Sequence, residues 1–369
     1  MAPMADVTDV AFRALVAARG APNVFWTEFV SADGLYHTRE IAKMPDAENP
    51  LMRDLLFDTS ERPIVAQIFS SKPEMIAYAT KLVAELGFDG VDINMGCPDR
   101  AIEKQGCGAA MIKNPKLARE ILRAAQAAST LPVSVKTRVG YNKESLDEWL
   151  TALLEANPAA ITLHLRTRKE MSLVPADWEL MKKAVEIRDR VNPDVLLIGN
   201  GDVQDLADGR AKVAESGCDG AMLGRAMFGN PWVFSGLVRA GERGNKSESP
   251  APISPSTGSN AQNEKDHFFE NAAQSRNRPS ASECAADKPS REIGAGVQPT
   301  QRDKLNALVE LAHGFEKISP PKNFAILKKH IKAFVTGFDG AADLRARLMQ
   351  AESAAELEKT ILDAPVPRV

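Results

Sequence analysis

The chain has 369 residues, 44% of them hydrophobic and 26% charged, with 46 Lys and Arg against 49 Asp and Glu for a formal charge of −3. That size and balance belong to a globular chain with a substantial core, and the near-neutral charge argues neither for nor against a nucleic-acid partner, because a basic patch can sit on a neutral protein. No basic-then-apolar leader opens the chain, no apolar run approaches about 18 residues, and four cysteines at irregular spacing make no disulfide framework, so the expected setting is cytoplasmic, with no membrane span.

In chain order, "MAPM" (1–4) supplies the tail of a first strand and "NVFWTEF" (23–29) a second. The next strands are "PIVAQIF" (63–69), "GVDINM" (90–95), "PVSVKTRV" (132–139), "AAITLHLR" (159–166), "VLLIGNG" (195–201) and "GAMLGR" (220–225). Between them lie stretches such as 72–87 and 114–129, apolar at helical spacing and bounded by Gly or Pro. Eight strands alternating with helices predict a parallel α/β fold, and the length suits a (β/α)8 TIM barrel over 1–240.

Alternation within the strands places polar groups on one face. Ser134, Lys136 and Arg138 oppose Val133, Val135 and Thr137; Thr162, His164 and Arg166 oppose Ile161, Leu163 and Leu165; Asp92 and Asn94 oppose Val91, Ile93 and Met95. A doubly wound sheet buries both faces and is apolar on both, so a barrel with a polar lumen at its C-terminal end fits better. Residues 241–302 form an insertion rich in Ser, Pro and Asn, too poor in large apolar side chains to offset its ordering entropy; disorder is expected there, with Cys284 inert inside it. From about 303 to 369 helical periodicity returns in four short segments, a small all-helical bundle.

Two cysteines, Cys97 and Cys107, lie in "DINMGCPDRAIEKQGCGAAMI" (92–112). Cys97 follows the 90–95 strand in a tight Gly-Cys-Pro loop, where a lone Cys is commonly just a small buried residue. A metal site lacks further ligands, with His164 alone not completing one; a redox pair is normally closer spaced; a disulfide with Cys107 does not suit the cytosol. The remaining role is proton donor, since a thiol of unperturbed pKa about 8.5 is largely protonated at neutral pH.

The motifs "APMADVTDVAFR" (2–13), "AQIF" (66–69), "DINMGCP" with "GCGAAMI", "VKTRVG" (135–140), "LHLRTR" (163–168), "GNGD" (199–202) and "GRAMFGNPW" (224–232) stand in the order and spacing of the tRNA-dihydrouridine synthase family. The tail "LKKHIKAFVTGFDGAADLRARLM" (327–349) resembles that family's C-terminal helical domain. The resemblance covers nearly all of the chain outside the insertion. It implies an FMN-dependent flavoprotein that uses NADPH to reduce a uracil of tRNA to dihydrouracil, hydride going to C6 and a proton to C5.

Carried over residue by residue, the family pattern makes Cys97 the proton donor. Pro3 and Met4 match the edge of the flavin, Gln67 the amide at the isoalloxazine, and Lys136 the cation near flavin N1. His164 matches the histidine at the flavin and its phosphate, and Asn200, Gly201, Gly224 and Arg225 match the phosphate cradle. Asn94 and Arg138 face the same lumen and are the candidates for holding the uracil. The expected partner is tRNA, its target nucleotide flipped out of the stack into the barrel mouth. Lys322, Lys328, Lys329, His330 and Lys332 either grip its phosphates or form an ordinary solvated helix face. No metal is expected, and the chain is expected to be monomeric. Rival readings are an FMN barrel acting on a small molecule and a tRNA-binding relative without catalysis. The chain departs from the pattern in its near-absent first strand, in Leu165 where Gly is common, in Cys107 where Ala or Ser is usual, and in the long insertion.

Overall fold

The computed structural model describes residues 1–236 and 299–364. The expected disorder over the insertion, including Cys284, lies outside the described residues apart from the segment's last few positions. Seven parallel strands form one sheet in chain order: β1 (Phe25–Ser31), β2 (Ile64–Phe69), β3 (Gly90–Met95), β4 (Val133–Arg138), β5 (Ala160–His164), β6 (Leu196–Asn200) and β7 (Gly220–Met222). Each strand but β1 starts within about a residue of the position read from the alternation of β-branched and polar side chains.

The strand expected first is the exception. At its place Met1 and Ala2 span the gap: the Ala2 N–H donates to Leu223 O beyond β7 at 2.7 Å, and the Met1 amine to Val24 O before β1 at 3.0 Å. Two residues are too short to register as a strand, yet they satisfy one backbone group on each edge of the curled sheet.

Outward-facing Val91, Ile93, Met95, Val135, Ile161, Leu163 and Leu197 are all but fully buried under the surrounding helices. Among these helices are Val10–Ala17, Pro73–Glu85, Pro115–Ala128 and Leu146–Leu154. Several start where the sequence offers an N-cap: Asp9 accepts from Phe12 N at 3.0 Å, and Asn114 from Leu117 N at 3.2 Å with Pro115 at the first helical position. The inward face has an apolar floor of Ala2, Trp26, Val65 and Met222, with polar side chains above it.

The tail forms the four predicted helices, Gln301–Glu316, Lys328–Phe334, Ala341–Leu348 and Ala354–Leu362. The first begins at Gln301 rather than near 303, because Thr300 and Asp303 make a reciprocal capping box. These helices share one hydrophobic core with the barrel. His330 sits among Phe12, Phe228 and Phe334 at ring separations of 4.8, 5.9 and 6.3 Å. Lys322 donates to Glu28 Oε2 at 2.5 Å and lies 3.1 Å from Asp54 Oδ1, with its side chain only 4% exposed.

Candidate active site

The parallel register builds the site in rows. Gln67 pairs with Asp92 and Asp92 with Ser134; Asn94 pairs with Lys136 and Lys136 with Thr162; Arg138 pairs with His164 and His164 with Asn200. Because alternate residues face the lumen, these rows converge above the apolar floor at the C-terminal ends of the strands, where barrel enzymes place their chemistry.

In the lowest row, Asp92 accepts from Ser134 Oγ at 2.6 Å and from Gln67 Nε2 at 2.7 Å. Burial pushes its carboxyl up to about 6, against the pull of Ser134, Gln67 and Lys136. Gln67 Oε1 in turn accepts from Asn94 Nδ2 at 3.0 Å. Asn94 Oδ1 accepts the backbone N–H groups of Gly96 and Cys97 at 3.1 and 3.0 Å. Asn94, expected only to hold a ligand, is thus also what fixes the loop that carries Cys97.

Cys97 is half-buried at the end of β3, and burial pushes its thiol above its ordinary range, which keeps the proton on sulfur. Its carbonyl accepts from Ala109 N at 2.8 Å. The segment after it folds back so tightly that a Cβ on Gly108, at φ +59°, would lie 2.6 Å from Cys97 O; glycine is required there. Cys107 is buried, its thiol also raised by burial, and its Sγ lies 3.6 Å from Gln105 O. Both cysteines are free thiols.

Lys136 Nζ donates to Asn200 Oδ1 at 3.1 Å, and Asn200 Nδ2 to Met222 O at 2.8 Å. Burial and the nearby Arg138 lower the Lys136 ammonium to about 8. Arg138, 5% exposed, donates from Nε to Gly96 O at 2.8 Å and from Nη1 to Met171 O at 2.9 Å and Thr167 O at 3.2 Å. It therefore brackets the Cys97 loop against the loop after β5; its Nη2 has no partner among the described residues. His164 Nε2 lies 3.0 Å from Arg166 Nη1. A guanidinium only donates, so that nitrogen accepts and the ring proton sits on Nδ1. Burial and the surrounding cations push the imidazole far below its usual range, so it is neutral.

One residue absent from the expected list organises the corner beyond β6. Asp202 pairs with both Arg166 and Arg225 and accepts from Ala176 N at 2.8 Å. The Arg166 hydrogen bond holds its carboxyl well below the carboxylate range. Asp202 closes the "GNGD" motif, but its role is set by Arg166 and Arg225, which are distant from it in the sequence. Gly201, at φ +128°, makes the bend into this corner, and a Cβ there would lie 2.7 Å from Ala176 Cβ. Gly224 lies beside Ala2 and Met4, so Pro3 and Met4 reach the same rim. The structure thus gathers every barrel residue expected at the site. Lys322 and His330 are not part of it: Lys322 is spent on Glu28 and Asp54, and His330 is buried among aromatic rings. Among the described residues no three His, Cys, Asp or Glu side chains group as metal ligands.

Lys136, Arg138, Arg166 and Arg225 stand along this end of the barrel, Arg166 and Arg225 paired with Asp202 and Arg138 facing Glu170. The dihydrouridine synthase (Dus) family model matches residues 1–278. The chain belongs to the dihydrouridine synthase family. It is 45% identical over 235 residues to the probable tRNA-dihydrouridine synthase 2 of Bacillus subtilis (strain 168), covering 63% of this chain and 70% of that one. It is 33% identical over 364 residues to the probable tRNA-dihydrouridine synthase of Staphylococcus aureus (strain COL), covering 98% and 91%. A shallower likeness, TM-score 0.42 at 12% identity over 63% of this chain and 84% of the other, is to morphinone reductase in complex with tetrahydroNAD. In this dihydrouridine synthase family member no helix of the described residues is long and apolar enough to cross a membrane.

Proposed function

We propose that this chain is a tRNA-dihydrouridine synthase that holds FMN in the barrel mouth, takes reducing equivalents from NADPH, and saturates the C5=C6 bond of a flipped-out uracil. The observation that carries the reading is a protonated, half-buried Cys97 thiol, held by Asn94 in a loop that Arg138 brackets, at the end of the strand row that bears Lys136.

The residues fit the cofactor. Gln67 donates only one of its two Nε2 hydrogens within the protein, to Asp92, and Met4 stands at the rim beside Gly224. Lys136, braced by Asn200, supplies a cation where negative charge collects on the ring system. His164, Gly201, Gly224 and Arg225 surround the corner suited to a phosphate monoester, with the Nδ1–H of His164 a donor at any physiological pH. When bound and reduced, FMN supplies the hydride that adds at C6 of uracil.

The protein's part is the proton. Cys97 Sγ–H gives its proton to C5, and the resulting thiolate, next to Lys136 and Arg138, is reprotonated from solvent. A carboxylic acid in that position would be ionised at pH 7 unless strongly perturbed; a buried thiol retains its proton. Arg138, with Nη2 uncommitted, and Asn94, with one spare N–H, are placed to hold the carbonyl edges of the base. The helix Lys328–Phe334 flanks the mouth, since Lys329 pairs with Asp6 on the rim at 2.7 Å. Lys329 is engaged by that pair and Lys328 donates to Met349 O at 2.8 Å, which leaves exposed Lys332 as the residue of this helix offered to tRNA phosphates.

The test is direct. Purified protein supplied with FMN and NADPH is incubated with tRNA transcribed without modification, which is then digested to nucleosides. Dihydrouridine should accumulate; its absence, with flavin bound and reduced, refutes the reading.

A further inference from the structure

We propose that Asp92 is a positioning residue that fixes the orientation of two lumen amides and, through them, the loop carrying Cys97. The hydrogen bonds run in one direction: Gly96 and Cys97 N–H to Asn94 Oδ1 at 3.1 and 3.0 Å, Asn94 Nδ2 to Gln67 Oε1 at 3.0 Å, Gln67 Nε2 to Asp92 Oδ2 at 2.7 Å. Ser134 Oγ closes the far end on Asp92 Oδ1 at 2.6 Å.

The two ends of this relay have no choice of role. Backbone N–H groups only donate, and an ionised carboxylate only accepts. Each amide between them must therefore turn its oxygen toward the loop and its nitrogen toward Asp92. A single flip of Gln67 would set its Nε2 against Asn94 Nδ2 and its Oε1 against the carboxylate, leaving buried polar groups unpaired at a cost of several-fold to a hundredfold in population per group. Asp92, Gln67 and Asn94 are all buried, so water does not relieve the mismatch. At pH 7.5 the carboxyl, raised by burial to about 6, remains ionised.

The relay has a consequence for recognition, which rests on the synthase reading above. With its oxygen engaged internally, Asn94, the less deeply buried of the two amides, turns its spare N–H toward whatever enters the lumen. A carbonyl edge such as that of uracil matches it; an exocyclic amine in the same place would face donor against donor.

The test reads the loop rather than turnover, so that its failure is separable from failure of the synthase reading. In the full-length protein, hydrogen exchange at the Gly96 and Cys97 amides is compared with exchange along β5. D92A should speed Gly96 and Cys97 about tenfold while β5 is unchanged. D92N, whose carbonyl can still accept from Gln67 while its amide faces Ser134, should stay within about twofold of the parent. The pair D92A/N94A should exchange no faster than N94A alone, since both cut one path. Unchanged exchange in folded D92A, D92N as fast as D92A, or additive effects in the pair would overturn the proposal. Where D92A does not fold, Gln67→Leu cuts the relay one link later and must show the same loss of protection.

Discussion

Lys136 and His330 are both basic groups whose burial favours the neutral form, and their different neighbours give each a separate consequence. The Lys136 ammonium, lowered to about 8, loses its charge just above neutral pH in the free protein. A bound anion restores it, so flavin affinity is linked to protonation. FMN affinity should fall as pH climbs past 8, by up to about tenfold per unit, and Lys136→Met should bind weakly with that slope gone; fluorescence titrations between neutral and alkaline pH measure both. His330 is lowered to about 4 by its burial, and its Nδ1 has no hydrogen-bond partner among the described residues. The unfolded chain takes up that proton near 6.5 and the folded one only near 4, so stability is full above 6.5 and declines as pH falls through this window. Between pH 8 and pH 5 the loss from this one residue is about 2 kcal/mol. Denaturant melts of His330→Phe at the two pH values should show that part of the acid loss removed.

At the scale of elements, the tail is fastened to the barrel by an ion pair that takes a charge out of water on each side. Glu28, on β1, is raised by burial and pulled back by Lys322. Lys322→Ala leaves that carboxylate buried without its partner and should cost about 3–5 kcal/mol; the double variant Lys322→Met, Glu28→Gln should recover most of it, as measured by thermal melts. That pairing also marks where the sequence stopped being legible. Strand positions were readable because a barrel wall alternates: Val133 and Val135 turn outward to the helices, Ser134 and Lys136 inward. Cys97, Lys136 and His164 were singled out through the family resemblance, and Arg138 through the alternation that turns it to the same face. Lys322 looked like a phosphate-facing lysine because nothing local announces Glu28, which lies far away in the chain. Asp202 was passed over for the same reason, its role being defined by Arg166 and Arg225. Closure of the sheet by Met1 and Ala2 was equally out of reach, since it is made of two backbone hydrogen bonds and no side-chain pattern.

For the whole molecule, the parts combine into one device. The curled sheet sets a polar lumen on an apolar floor, the relay through Asp92 aims the Cys97 loop, and the tail shares the barrel's core and lines the mouth beside Asp6 and Lys329. In the function proposed above, the barrel supplies position and one thiol supplies the acid. The measurement that tests it most directly separates the flavin half-reactions in Cys97→Ala. Reduction by NADPH, followed by the bleaching of flavin absorbance, should proceed as in the parent protein. Reoxidation on adding unmodified tRNA, read with dihydrouridine in the digested product, should slow by at least about a hundredfold, the scale of losing a positioned general acid. Reoxidation and dihydrouridine yield at the parent rate in Cys97→Ala would contradict the account.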